Sequence, residues 1–449
     1  MDYHAIFQAR IRLRNQPTGI LKKLSAAQYS FQYDLDYLKL PHCIPIACAF
    51  PLRSEPFLSP VLHPFFDNLI LEGWLLSHAE KIFHIDKKNR FALLMAIGRF
   101  PIGAISVIPL DSDENECLLQ IDPESPPPMH LEKVEFPNKD GYCPACLWPS
   151  PKGRVLHPRC STALFGTSRK LKVEIDTENP VETFSRTIYG GSISGAQRKG
   201  LFSLDPKGVL HSSPIDSEYI LKPAGDYLEL PANEHLTMAI AQEIGFPIPP
   251  FSLIKVPSLG YLFLIRRFDK TQLMSRRMED MAQIIGKPSE DKYNSSNEKV
   301  AQSIRSHATS PPLDLGDFFK RLLFCFLIGN ADMHLKNWSL LEKESLNGEL
   351  DLSPCYDLLN TRLLIPREKI DIGLSILGKN RNLQRSYFYR FAVDVLQLEE
   401  KFIKKTFDDL DVWFNVIVTL VSRSYLTKNF QKKYLEIVAE RLAVLKKLG

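Results

Sequence analysis

The chain has 449 residues, 44% of them hydrophobic, which is enough for a large core and for roughly two to three units of ordinary size. Lys plus Arg number 56 against 52 Asp plus Glu, and the resulting +4 is too slight to point to a nucleic-acid or membrane surface. The first residues, "MDYHAIFQARIRLRNQ", carry charges throughout, and no window approaches the roughly 20 apolar residues of a membrane helix. A cytoplasmic protein with no membrane association, its eight cysteines reduced or bound to metal, is expected.

In chain order, residues 1–122 mix short alternating runs such as "FQYDLDYL" with helical spacing over 65–97, where Asp86 is placed to cap a helix. That pattern predicts a small α/β unit. Residues 123–141 hold five prolines and no periodicity, which marks a linker. A cysteine-bearing segment, 142–166, precedes a long unit over 167–449, divided near residue 270 into a small lobe and a helical lobe. In the small lobe "EYILK" reads as a strand, "LPANEHLTMAIAQEIGF" as a helix stopped by Gly245, and "YLFLIRRF" as a second strand. Residues 286–312, rich in Ser, Asn, Lys and Pro, predict a mobile surface loop. From 317 onward the pattern is mainly helical, with hairpin-like material between 338 and 372.

The stretch "FLIGNADMHLKNWSLL" wedges a few selected polar residues between two apolar runs. Phosphoryl transfer needs metal held against phosphate oxygens, a cation on those phosphates, and a carboxylate beside the attacking hydroxyl. In protein kinases four residues separate the catalytic Asp from the metal-binding Asn, and Asp332 and Asn337 have that separation. A second metal-binding carboxylate is placed at Asp357, because the Asn347–Gly348 turn folds the chain back toward Asn337. Lys222 ends a strand in the manner of a phosphate-pairing lysine, and the following helix offers Glu234 to position it. "YGGSISGAQRKG", with four glycines in twelve residues, suits a loop that lets backbone N–H groups approach a nucleotide. Taken singly each feature has a bland reading: a chance DxxxxN, a solvated edge lysine, a helix-capping Asp, a flexible turn. Their order along the chain favours the site. His334 is left between a packed loop residue and a participant, and Lys336 between a phosphate contact and a solvated cation.

These residues resemble the HipA-type serine/threonine kinases, toxins of bacterial toxin–antitoxin systems. "FQYDLDYL", "IPIACAFPL" and "PFFDNLILEGWL" are similar to the family's N-terminal subdomain. "SISGAQRK", "ANEHLTMAIAQEIG", "RRFDK", "EDMAQIIG", "IGNADMHLKN" and "SPCYDLL" are similar to its kinase core. The resemblance implies an α+β, protein-kinase-like two-lobed fold with a small mixed lobe, a mainly helical lobe and an added N-terminal α/β subdomain. It implies ATP and magnesium as cofactors, Asp332 as catalytic base, Asn337 and Asp357 as magnesium ligands, Lys222 as the ATP lysine and Phe268 at the hinge. Ser192, Ile193, Ser194 and Gly195 take the place of the nucleotide-covering loop. Ser192 resembles the serine these kinases autophosphorylate, and "SIS" resembles the HipT branch, in which Ser194 is modified as well. The implied partners are a protein substrate such as an aminoacyl-tRNA synthetase and a HipB-like DNA-binding antitoxin, with nucleic acid touched only through the latter. Two other classes remain open: an inactive scaffold that binds the antitoxin, and a small-molecule kinase.

"CPACLWPSPKGRVLHPRC" supplies Cys143, Cys146, His157 and Cys160 in two close pairs, which fits a tetrahedral structural zinc. A compact metal-free turn with His157 packed beside Trp148 is the alternative. Cys43, Cys48, Cys117, Cys325 and Cys355 are expected to pack as small apolar groups.

Overall fold

In a computed structural model, residues 2–111, 116, 130–177, 183–184, 187, 191–192, 197–271 and 274–447 are described, and nothing is said of the others. Ile193, Ser194, Gly195 and Cys117 lie outside the described residues, and of Ser192 only the backbone is described.

Alternating sequences at the start of the chain form strands β1 (Gln8–Leu13), β2 (Gln16–Ser25), β3 (Gln28–Tyr33) and β4 (Phe57–Ser59). With β5 (Ile105–Leu110) they make a five-stranded sheet in the order β4-β3-β2-β1-β5. Helices α1 (Gly73–Phe83) and α2 (Arg90–Ile97) belong to this unit, and the seven residues of α2 after its Arg, Phe91 through Ile97, are all buried in the subdomain core. Asp86 does not cap α2. It accepts the Lys88 N–H at 2.8 Å in a preceding turn, and Asn89 caps the helix through the Ala92 N–H at 3.3 Å.

The small lobe is a seven-stranded sheet. Its strands are β6 (Leu131–Lys133), β7 (Glu174–Asp176), β8 (Gly200–Leu204), β9 (Val209–Ser212), β10 (Tyr219–Pro223), β11 (Phe251–Val256) and β12 (Gly260–Arg266). Their order is β11-β12-β10-β8-β9-β7-β6. The predicted linker therefore contributes an edge strand, β6, which pairs antiparallel with β7. "LEK" lies past the proline cluster, and pairing with a distant strand overrides its lack of local periodicity. Helix α3 (Leu230–Ile244) packs under the sheet and ends at Gly245, whose φ of 102° is costly for any side-chain-bearing residue.

The larger lobe begins with β13 (Met278–Asp280), which joins β14 (Ser339–Glu342) and β15 (Leu350–Leu352) in a three-stranded sheet; β14 and β15 are the predicted hairpin. The expected surface loop over 286–312 is instead largely helical: α4 (Asn297–His307) lies within it and α5 (Pro311–Leu327) starts inside it. Val300, Ala301 and Ile304 form a buried stripe on α4, and the Asn297 amide donates to the Leu374 carbonyl at 2.8 Å. The stripe is short and sits among polar residues, so composition concealed it. Helices α6 (Glu400–Asp408), α7 (Leu410–Arg423) and α8 (Lys428–Lys446) complete the lobe. Among the described residues no helix is long and apolar enough to cross a membrane.

The N-terminal unit is docked through buried polar contacts. The Glu279 carboxylate accepts the Cys48 N–H, Gln283 donates to the Phe65 carbonyl at 3.0 Å, and Asn68 donates to the Lys287 carbonyl at 2.8 Å. Residues Phe100–Pro101 also pair in parallel with Gly191–Ser192, which ties the start of the glycine-rich segment to this unit.

Candidate active site

The cleft is lined from the N-terminal unit by Asn68, Leu69, Pro101 and Ile102, from the small lobe by Lys199 and Lys222, and from the larger lobe by Asn337 and Asp357. Strand β10 delivers Lys222 from a sheet interior, and α3 brings Glu234 beneath it. The Lys222 ammonium donates to Glu234 Oε1 at 2.5 Å and to Asp357 Oδ1. Burial alone would lower the Lys222 pKa, but the Asp357 and Glu234 carboxylates hold it above its ordinary value. Burial pushes Glu234 up to about 6. Asp357 is held below the carboxylate range, because Lys222 and Lys199 outweigh its burial. Asp357 also has a φ of 53°, a left-handed conformation that non-glycine residues adopt at some cost in energy and that clusters at functional sites.

The loop that carries Asp332 and Asn337 is built by its flanks. Helix α5 ends at Leu327, and Gly329 turns the chain at φ 72°, where a Cβ would meet Ile437 Cγ2 at 3.0 Å and Asn360 Oδ1 at 3.2 Å. The Thr361 hydroxyl clamps the turn by donating to the Gly329 carbonyl at 3.0 Å and accepting the Ala331 N–H at 2.8 Å. Asn330 Oδ1 accepts the Asp332 N–H at 3.0 Å. Asn337 donates its amide to the Asp332 carbonyl at 2.8 Å, which leaves its amide oxygen as the end available to a cation.

Asp332 is buried enough that its pKa is raised, although the Tyr293 hydroxyl, donating to Oδ1, works in the opposite direction. His334 packs edge-on against Tyr293 with ring centroids 4.9 Å apart, and burial lowers its pKa to about 3. It is a neutral packed residue. Lys336 is not solvated, and it lines the cleft. Its ammonium is buried, ion-paired with Glu72 Oε1 at 2.6 Å and bonded to Asn68 Oδ1 at 2.9 Å, both from the N-terminal unit. Lys292 meets the other oxygen of Glu72 at 2.7 Å.

Of the predicted site residues, Lys222, Phe268, Asn337 and Asp357 line one cleft, with Glu234 against Lys222; the Phe268 ring lies 5.6 Å from that of Tyr356. Cys143, Cys146, His157 and Cys160 gather elsewhere. Sequence reasoning missed Lys199, Tyr293 and Glu72. Lys199 belongs to the glycine-rich segment already singled out, so its position offered a signal; it is buried in the cleft, and desolvation lowers its pKa. Tyr293 and Glu72 had none, because each acts across an interface between distant parts of the chain.

A family model described as the HipA-like C-terminal domain matches residues 191–415, and one described as the HipA N-terminal domain matches residues 9–108. The chain belongs to the HipA family. A putative kinase, Y4dM, of Sinorhizobium fredii is 26% identical over 375 residues, covering 78% of this chain and 76% of the relative. The serine/threonine-protein kinase toxin HipA of Shewanella oneidensis is 24% identical over 318 residues, covering 66% of this chain and 62% of that one. A chain in the solved complex of Shewanella oneidensis HipA, HipB and operator DNA matches with a TM-score of 0.68 at 18% identity, covering 98% of this chain and 100% of that chain. This HipA-family protein therefore has the family's two-lobed, kinase-like α+β fold, with the N-terminal subdomain fused to the core.

Proposed function

We propose that the chain is an ATP- and magnesium-dependent serine/threonine protein kinase, acting in the cytoplasm as the toxin of a toxin–antitoxin pair. The observation that carries this reading is the convergence of Lys222, Asn337 and Asp357 on one cleft, with Lys222 held between Glu234 and Asp357. The donor set fits the cofactors: a carboxylate and an amide oxygen suit a hard divalent cation, and two buried lysines suit phosphates. When bound, magnesium ATP supplies the transferable phosphoryl group. Lys222 and Lys199 offset phosphate charge, Asn337 and Asp357 hold the cation, and Asp332 accepts the proton of the substrate hydroxyl once that hydroxyl has replaced Tyr293 on Oδ1.

The relatives named as kinases support a protein or other hydroxyl acceptor, and we assign a component of translation, such as an aminoacyl-tRNA synthetase, as substrate. The relative solved with HipB and operator DNA supports a HipB-like antitoxin as partner. Ser192 and Ser194 are assigned as autophosphorylation sites that silence the enzyme, because a phosphate with nearly two negative charges would repel nucleotide phosphates from the cleft. The test is incubation with labelled ATP and magnesium, with mass spectrometry of the products and phosphoproteomics after brief expression. Label on Ser192 or Ser194 and one dominant protein substrate are expected. An unlabelled chain would favour a scaffold, and a labelled small molecule a different kinase class.

The pH response separates chemistry from folding. As the pH is lowered the transfer rate should fall when Asp332, its pKa raised by burial, takes up a proton at a higher pH than an ordinary carboxylate does. Glu234, Asp280 and Asp314, pushed by burial up to about 6 from ordinary values of 4.5, 3.8 and 3.8, bind protons more tightly folded than unfolded. Their contribution to stability therefore grows as pH falls through 6. Glu72 and Asp357, both held low by lysines, keep theirs until much more acid conditions. Activity and thermal midpoint measured together should thus part, the rate dropping while the midpoint holds or rises. A parallel fall would refute this assignment.

A further inference from the structure

Cys143, Cys146, His157 and Cys160 lie far from the cleft in sequence, yet their position in the fold connects them to it. Their four ligand atoms all lie within 4.8 Å of one another. His157 Nδ1 is 3.3 Å from the Cys146 sulfur and 4.0 Å from that of Cys160. Ligands at about 2.0–2.3 Å from a tetrahedral zinc are separated by roughly 3.6–3.8 Å, so the present spacing closes on a metal with small movements. The outer contacts are also in place. His157 Nε2 lies 2.9 Å from the Pro149 carbonyl; donating there, it leaves Nδ1 as the lone-pair nitrogen facing the sulfurs. The apolar cluster here, Cys143, Ala145 and Cys146 with Trp148, Leu156 and Cys160 at its edge, is too small to hold a fold by itself.

What the knuckle grips is the helix that carries Glu234. The carbonyl of Pro144, between the first two ligands, accepts from His235 Nε2 at 2.6 Å, from the Leu253 N–H at 2.9 Å and from the Ser252 hydroxyl at 3.2 Å. His235 is the residue after Glu234. Trp148 donates to Glu243 near the far end of α3 at 2.8 Å, and the Arg423 guanidinium of α7 stacks over Trp148 at 4.4 Å. One short loop thus fastens α3 at two points, to β11 and to the helical lobe.

We propose that Cys143, Cys146, His157 and Cys160 bind a zinc ion whose occupancy sets the position of α3, so that metal loss loosens Glu234 from Lys222 and weakens nucleotide binding. The first part stands on the ligand geometry alone; the second rests on reading Lys222 and Glu234 as the nucleotide-positioning pair. Without the metal the loop keeps no core of its own, the Pro144 carbonyl drifts, and α3 loses its hold at His235.

The experiment starts from full-length protein purified without chelator. Elemental analysis should find about one zinc per chain. Zinc is then stripped from the folded protein by a chelator with a thiol-reactive mercurial, and zinc is added back after thiol is restored. Hydrogen exchange over residues 230–244 should rise about tenfold on stripping, as for the loss of one or two buried hydrogen bonds, with β1 unchanged as an internal control, and return on reloading. Affinity for a fluorescent ADP analogue should fall and recover in step. His235→Phe, which keeps all four ligands, should retain zinc and still show the faster exchange. Iron or no metal in the purified protein would overturn the zinc site, and unchanged exchange over 230–244 after stripping would overturn the coupling. If the zinc-loaded chain binds no nucleotide, the kinase reading fails while zinc content and exchange still decide the brace.

Discussion

Asp332→Asn is expected to lower phosphoryl transfer by about 10²–10⁴-fold, the usual contribution of a positioned general base. The substitution is nearly isosteric, and its amide oxygen can still accept from Tyr293, so the loop should keep its shape. Asp332 is not among the residues lining the cleft, and affinity for an ADP analogue should stay within about twofold. Initial rates of label incorporation, with binding measured on the same preparation, check both halves. A variant that transfers phosphate at the original rate would remove Asp332 from the mechanism. One that loses binding and rate together would make it a structural residue.

The second large effect is expected far from the chemistry. Glu72→Ala removes the carboxylate that pairs with two lysines and leaves the Lys336 ammonium buried, with only Asn68 and Ser289 as neutral partners. Breaking a buried pair from one side costs on the order of 3–5 kcal/mol, and the remaining hydrogen bonds place this case near 3 kcal/mol. The loss should show as a lower thermal midpoint and as faster hydrogen exchange over residues 330–337, the loop that carries Asp332 and Asn337. Lys292→Ala should cost less, since its partner keeps Lys336 and Lys292 is itself partly exposed. If Glu72→Ala left the exchange of 330–337 unchanged, the N-terminal unit would not brace that loop.

The strands and helices around the cleft were legible because their signals are local. Gly245 marks the end of α3, "EYILK" and "YLFLIRRF" are apolar runs of strand length, and Asn347–Gly348 announces the hairpin that returns the chain to Asp357. Local signals failed where a partner elsewhere supplied the stability. Strand β6 exists because β7 is there to pair with it, and α4 exists because its short apolar stripe has a core to enter.

The sequence by itself determined which chemistry is available: the types and order of Lys222, Glu234, Asp332, Asn337 and Asp357, and the two close ligand pairs of the knuckle. Only the tertiary structure decided how those groups are charged and held. Lys336 could by its sequence meet a phosphate or stay in solvent, and the fold buries it against Glu72, where it joins two units and lines the cleft. His334 looked able to share in proton transfer, and desolvation keeps it neutral. A pKa, a buried pair or a contact across an interface depends on distances between residues remote in the chain, and those are set by packing, which no local pattern carries.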